Sequence, residues 1–147
     1  MAKRARVLLA ILLFPAAATF AALMQHSETT IVTPAIGARV ALDRLVYKSR
    51  RFEARVTSVE VRAKSAPDTE PLVADWTFTA SNNDGQLHRV EMQIRLLDES
   101  GKQIGWFVAK HPVRAAASEE TFRVPMKVKR DVWAATHRVR IFADWLS

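Results

Sequence analysis

The feature that most limits the fold of this chain is a regular alternation of apolar and polar residues. It is clearest over residues 89–96, where four aliphatic residues alternate with four charged or amide residues. Because successive side chains of a strand point to opposite faces, this period of two predicts a strand with one buried and one solvated face. An amphipathic helix needs apolar residues at intervals of three and four, so the pattern favours an all-β fold.

The same alternation recurs in six stretches separated by segments rich in Pro, Gly, Asn and Asp, which are turn-forming residues. Their spacing is typical of an antiparallel sandwich, so we expect an immunoglobulin-like β-sandwich of six or seven strands, preceded by an N-terminal hydrophobic helix. The predicted strands cover residues 52–63, 72–80, 89–96, 103–109, 121–128 and 138–145.

The alternation also assigns side chains to the core or to the surface. Trp76, Trp106 and Trp145 fall on inward positions and are predicted to lie in the core, whereas Phe107 is predicted to face outward. Pro125 lacks a backbone N–H to donate to a neighbouring strand. The strand at 121–128 is therefore predicted to lie at the edge of a sheet.

The first residues have a different composition from the rest of the chain. Basic residues at positions 3, 4 and 6 precede an aliphatic run, 7–14, after which Pro15 and a small-residue run follow. This is the layout of a secretory signal peptide. The small residues Thr19 and Ala21 predict cleavage after Ala21.

An uncleaved N-terminal membrane anchor is the alternative for residues 1–21. The apolar stretch 7–24 contains 18 residues, which is just enough to span a bilayer as a helix. With either outcome the remainder is predicted to be extracytoplasmic, whether periplasmic or secreted. We divide the rest into a linker and lead-in at 22–50 and a β-sandwich domain at 51–147.

The charge balance limits the partners that the chain can bind. The net charge is +7, but three of the 22 basic residues belong to the N-terminal segment. The rest of the chain has 19 basic and 15 acidic residues, so the part that is predicted to be exported has a net charge of +4. This mild excess of positive charge favours an envelope protein or an anionic surface as the binding partner and argues against nucleic acid as a partner. Contact with the membrane is expected only through the N-terminal segment, if that segment is uncleaved.

Basic residues at outward strand positions form a candidate cationic face, provided that neighbouring strands align them. A solvated face that keeps the domain soluble is the alternative interpretation of the same residues. The candidate residues are Arg62, Arg89, Arg95, Arg123, Lys127, Arg138 and Arg140.

No motif in the sequence indicates catalysis, a metal or a cofactor. The chain has no Cys, and its four His residues lie in separate segments, which is typical of scattered surface histidines. Asn82, Asp84, Gly85 and Glu91 match four places of a calcium loop. The first place is Ala80, however, and the flanking residues are predicted strands, so a β-turn explains these residues better than a calcium site. We expect no enzyme activity and no cofactor.

Two adjacent segments resemble the FxLYD family of bacterial envelope domains. The first is Trp-Thr-Phe-Thr-Ala-Ser-Asn-Asn-Asp-Gly at 76–85, and the second, at 90–105, begins Val-Glu-Met-Gln-Ile-Arg-Leu-Leu-Asp. The pentapeptide of the family falls on 94–98, where Leu96 and Asp98 match and the Phe and Tyr are replaced. The resemblance covers about 72–128 and implies a sandwich fold, export and an accessory or interaction role.

Together these observations predict an exported, non-enzymatic β-sandwich that serves as a protein-interaction or accessory module of the cell envelope. The alternative function is a membrane-anchored structural or assembly component.

Overall fold

The computed structural model describes residues 24–48, 53–116 and 118–146, which form eight antiparallel strands and one short helix. The predicted signal peptide or anchor, with its cleavage after Ala21, lies outside the described residues. The elements are β1 (Met24–Val32), β2 (Arg39–Lys48), β3 (Glu53–Ala63), β4 (Leu72–Asn82), β5 (His88–Leu97), β6 (Gln103–Val113), β7 (Glu120–Val128), α1 (Arg130–Ala134) and β8 (Arg138–Leu146).

The strands form two four-stranded antiparallel sheets. Sheet A has the order β1-β8-β5-β6 and sheet B the order β2-β3-β4-β7. Residues of both sheets share one buried core, so the sheets pack face to face. At one edge, the Gln25 side chain donates to the carbonyl of Lys48 at 2.7 Å and accepts from its amide at 3.0 Å. This exchange ties β1 of sheet A to β2 of sheet B.

The prediction of an all-β chain with antiparallel strands is confirmed. All six predicted strands are present as β3 to β8. The strand that contains Pro125, β7, lies at an edge of sheet B as predicted. Within the described residues, no helix is long and apolar enough to cross a membrane.

The segment 22–50 differs from its prediction as a linker and lead-in, because it contains the two edge strands β1 and β2. The described residues therefore form eight strands rather than six or seven. In β1 only one face packs against the protein, and its inward positions include the polar residues Ser27 and Thr29, so β1 lacks the apolar–polar alternation that predicts a strand. In β2 the register shifts between Ala41 and Leu45, which interrupts the period of two.

The predicted orientation of β6, with Ile104, Trp106 and Val108 inward, holds for Ile104 and is wrong from Trp106 onward. Trp106 is 57% exposed and Val108 is 43% exposed, whereas Phe107 packs against the core. The cause is a bulge: Leu96 pairs with Gly105 but Leu97 pairs with Gln103, so Ile104 is an extra residue on β6. One extra residue moves every later side chain to the opposite face. Trp76 and Trp145 are fully buried as predicted.

Candidate cationic surface

The seven predicted basic residues lie on two opposite outer faces of the sandwich and do not form one surface. Three belong to strands of sheet B and four to strands of sheet A. On sheet B they are Arg62, Arg123 and Lys127, and on sheet A they are Arg89, Arg95, Arg138 and Arg140.

On the outer face of sheet B, most of the basic side chains lie close to carboxylates of the same sheet. Arg62 lies 3.0 Å from Glu60, and this hydrogen bond lowers the pKa of Glu60 below its usual value of 4.5. Asp75 is buried to 7% exposure and has two cations near it, Lys64 at 3.6 Å and Arg123 at 3.9 Å. Cations that already have carboxylate partners on their own sheet are less available to an external anion.

The outer face of sheet A is different, because its carboxylates are held by groups other than the four arginines. Glu91 pairs with Lys110 at 3.3 Å. Asp144 pairs with His26, whose Nδ1 lies 2.5 Å from the carboxylate. Within the described residues, none of the four arginines has a carboxylate oxygen within 4.0 Å of its guanidinium group.

Two of these arginines are direct neighbours across the sheet. Arg95 on β5 is the register partner of Arg140 on β8 and, on its other side, of Trp106 on β6. Arg138 lies one outward position further along β8, opposite Leu97. We call Arg95, Arg138, Arg140 and Trp106 the Arg–Trp surface.

An outward-facing aromatic ring supports this arrangement. The guanidinium carbon of Arg95 lies 4.5 Å from the centroid of the Phe142 ring, so the cation covers the ring face. This contact offsets part of the repulsion between the directly opposed Arg95 and Arg140, which otherwise destabilises the sheet. Phe142 is 9% exposed although it points away from the core.

The chemistry of the Arg–Trp surface suits an anionic ligand. Each guanidinium offers a planar set of donors that matches a carboxylate or a phosphate in a bidentate geometry. Trp106 adds an exposed apolar ring with one hydrogen-bond donor. Arg89 does not belong to this surface, because it lies at the other end of β5, opposite Leu146 and Pro112.

One polar pair was missed by the sequence analysis. The sequence predicts a surface histidine at position 88, but His88 is fully buried and its Nε2 lies 2.7 Å from Oδ2 of Asp84. The ring of Tyr47 packs against it at 4.3 Å between centroids. Extending the alternation of β5 back from Val90 places His88 on the inward face, so the signal was present in the sequence.

The turn that partly matches a calcium loop is organised by its own hydrogen bonds. The Asn82 side chain accepts from the amide of Asp84 at 2.8 Å and donates to the carbonyls of Gln86 and Arg114. The carboxylate of Asp84 is engaged with His88. Across the described ranges, no three His, Asp or Glu side chains are placed to hold a metal ion.

Comparisons with known proteins identify no family. No protein-family model matches the chain, and no curated protein matches its sequence significantly. Among solved structures, it is similar to the enzymatically active domain of tailspike protein 4 of bacteriophage CBA120, with 14% identity and a TM-score of 0.26. The match covers 82% of this chain and 17% of that one. A similarity of this size gives no argument about function.

Proposed function

We propose that this chain is an exported, non-enzymatic binding module of the cell envelope that receives an acidic partner protein on the Arg–Trp surface. One observation supports this above all: three arginines without a carboxylate partner among the described residues share the outer face of sheet A with a Trp that is 57% exposed. Charge that the fold leaves unbalanced is available for a ligand.

The composition of the surface favours a protein partner. Arg and Trp are the residue types that most often dominate the binding energy of protein interfaces. Val108 lies next to Trp106 on the same outward side of β6 and is 43% exposed, which adds apolar area to the site. An acidic segment with one aromatic or aliphatic side chain has the complementary chemistry.

The position of Trp106 on an edge strand adds a second means of recognition. In the described part of the chain, β6 pairs with β5 on one side and with no strand on the other. An extended partner segment can add to such an edge through main-chain hydrogen bonds, while its side chains reach the flanking surface. The Arg–Trp surface would then select acidic side chains on the added segment.

The non-enzymatic part of the proposal rests on the separation of the polar groups. In the described part of the chain, no serine hydroxyl is hydrogen-bonded to a histidine, as a hydrolytic site requires. His26 and Asp144 pair on an exposed sheet face, and His88 and Asp84 pair inside the protein. Among the described residues, neither pair is hydrogen-bonded to a hydroxyl group, and the Ser27 hydroxyl next to His26 donates to the carbonyl of Ala143.

The proposal also includes a structural relationship and a cellular location for the chain. The sandwich is proposed to be immunoglobulin-like and related to the FxLYD domains, with residues 94–98 lying on β5 and the first position of the following turn. Residues 1–21 are proposed to direct export, either as a signal peptide cleaved after Ala21 or as an anchor. The anchored form would favour a structural or assembly role.

Photo-crosslinking in the cells that make the protein tests the binding function. A photoreactive amino acid replaces Val108 beside the Arg–Trp surface or, as a matched control, Lys127 on the outer face of sheet B. We expect a discrete crosslinked product from position 108 that disappears when Trp106→Ala is added, and none from position 127. Equal products from both positions, or a product that survives Trp106→Ala, would contradict the proposal.

A further inference from the structure

The end of the sandwich at which β1 begins has a second exposed surface. Met24, Leu146, Arg89 and Pro112 are register partners in one row across sheet A. The bonds between Gln25 and Lys48 place the end of β2 at the same end of the molecule. We call Met24, Lys48, Leu87, Arg89 and Pro112 the β1 end.

This end exposes both apolar and basic groups, with Arg89 on the side of sheet A and Lys48 on the side of sheet B. Met24 is 65% exposed and Leu87 is 49% exposed, and both are large apolar side chains. Lys48 and Arg89 are also exposed, and within the described residues neither has a carboxylate oxygen within 4.0 Å. Leu87, Arg89 and Pro112 line one side of an open groove of about 280 Å³.

The carboxylates nearest to this end have partners of their own. Glu53, the register partner of Lys48, is paired with Arg55, and Glu91 is paired with Lys110. Glu120 is held by the amide and the guanidinium of Arg114 at 3.0 and 3.1 Å. Burial raises the pKa of Glu120, but the hydrogen bonds and charge of Arg114 outweigh it and hold that pKa below the usual value of 4.5. Among the described residues, the unpaired charges at this end are therefore positive.

The chain order places this surface next to a membrane whenever the N-terminal segment is retained. Two residues separate Ala21 from Met24, the first residue of β1. Because one residue spans at most about 3.5 Å, this connection keeps Met24 within roughly 10 Å of Ala21, the last residue of the N-terminal segment. The surface beside an exported anchor is the headgroup layer of the bilayer.

We propose that the β1 end docks on an anionic lipid headgroup layer, with Arg89 and Lys48 facing phosphate groups and Leu87 and Met24 entering the interface. Basic residues near a negatively charged leaflet are attracted to it, and apolar side chains beside them strengthen the contact. The docked end lies opposite the Asp98–Lys102 turn, so the Arg–Trp surface stays accessible. The docking surface is separate from the partner surface, and the two proposals fail independently.

A cysteine-free chain makes a direct measurement simple. The full chain, with residues 1–21 retained, is produced by cell-free synthesis into nanodiscs of phosphatidylcholine alone or with added phosphatidylglycerol. A polarity-sensitive NBD dye is attached to Leu87→Cys or to the control Glu99→Cys, which lies in the turn between β5 and β6. We expect brighter, blue-shifted emission from position 87 in the anionic nanodiscs only, and water-like emission from position 99 in both.

Charge reversal gives the second part of the test. Arg89→Glu is expected to lower the docked-to-free ratio by on the order of tenfold, whereas the control Lys102→Glu at the far turn leaves it unchanged. Water-like emission from position 87 in anionic nanodiscs overturns the proposal. Emission that is equally blue-shifted in both lipids also overturns it, because tethering alone then explains the contact. A blue shift that requires a second protein identifies position 87 as a protein interface instead.

Discussion

The imidazole of His88 and the carboxylate of Asp84 lie 2.7 Å apart in the interior of the protein, with exposures of 0% and 6%. This pair joins the turn after β4 to the first residue of β5. Because a buried polar group without its partner keeps its desolvation cost, Asp84→Ala is expected to destabilise the protein by about 1–3 kcal/mol. Urea unfolding measures this change. Gln86→Ala in the same turn is the control and is expected to stay within about 0.5 kcal/mol of the parent.

The two tryptophans Trp106 and Trp145 provide a test of the orientation of β6. Trp145 is fully buried and Trp106 is 57% exposed. Trp145→Ala is therefore expected to cost about 3–5 kcal/mol through the cavity that it leaves, whereas Trp106→Ala is expected to change stability by no more than about 0.5 kcal/mol. Thermal unfolding of the two variants compares them directly. Equal losses would place Trp106 in the core and refute the bulge.

Gly105 tests the bulge at the residue that faces Leu96. A Cβ added at Gly105 would lie 3.2 Å from Cδ1 of Leu96, closer than side chains normally pack. Gly105→Ala is expected to destabilise the protein by about 1–3 kcal/mol through overpacking. Gly85→Ala is the matched control, because nothing lies within 4 Å of its added Cβ. Denaturant unfolding compares the two variants. Equal unfolding midpoints would contradict the pairing of Gly105 with Leu96.

His26 on β1 gives the protein a small dependence on pH. Its hydrogen bond to Asp144 raises its pKa above the usual 6.5, against a smaller opposing effect of burial. A raised native pKa means that the folded state holds the proton more tightly than the unfolded chain. The pair therefore contributes its full stability below about pH 6.5, and this contribution is lost as the pH rises through the native pKa.

NMR titration of the His26 ring measures this effect. Asp144→Asn is expected to bring the pKa of His26 back toward 6.5 and to reduce the extra stability on the acidic side. Because the His26 side chain is about half exposed, the change in stability is expected to be small. An unchanged pKa in the variant would show that Asp144 is not the cause.

The period-two alternation was sufficient to predict β3 to β8, because each of these strands buries one apolar face. It failed for β1, where Ser27 and Thr29 face inward at an edge and only part of each side chain is buried. It failed for the orientation of β6, because the bulge at Ile104 depends on the pairing with β5 and leaves no mark in the alternation itself. Gly105, the residue that fits against Leu96, was the available hint.

The sequence predicts which basic residues face outward but not which of them lie together on one surface. Outward alternation identified all seven basic residues, but only sheet order shows that Arg62 and Arg95 lie on opposite faces. Cross-strand register, a property of the folded state, brings Arg95, Arg140 and Trp106 into one row. Whether a cation has a carboxylate partner depends on the same register and is equally invisible in the sequence.

The measurement that tests the central claim most directly is the yield of the crosslink from position 108 after charge reversal on each face. Arg95→Glu with Arg140→Glu reverses the charge of the two directly opposed arginines of the Arg–Trp surface, and Lys127→Glu with Lys129→Glu makes the same change in charge on and just after β7 of sheet B. We expect the crosslink yield to fall by at least about tenfold for the first variant, since charge-assisted contacts are lost. We expect an unchanged yield for the second. Equal losses in both variants would show that net charge, and not the Arg–Trp surface, governs binding.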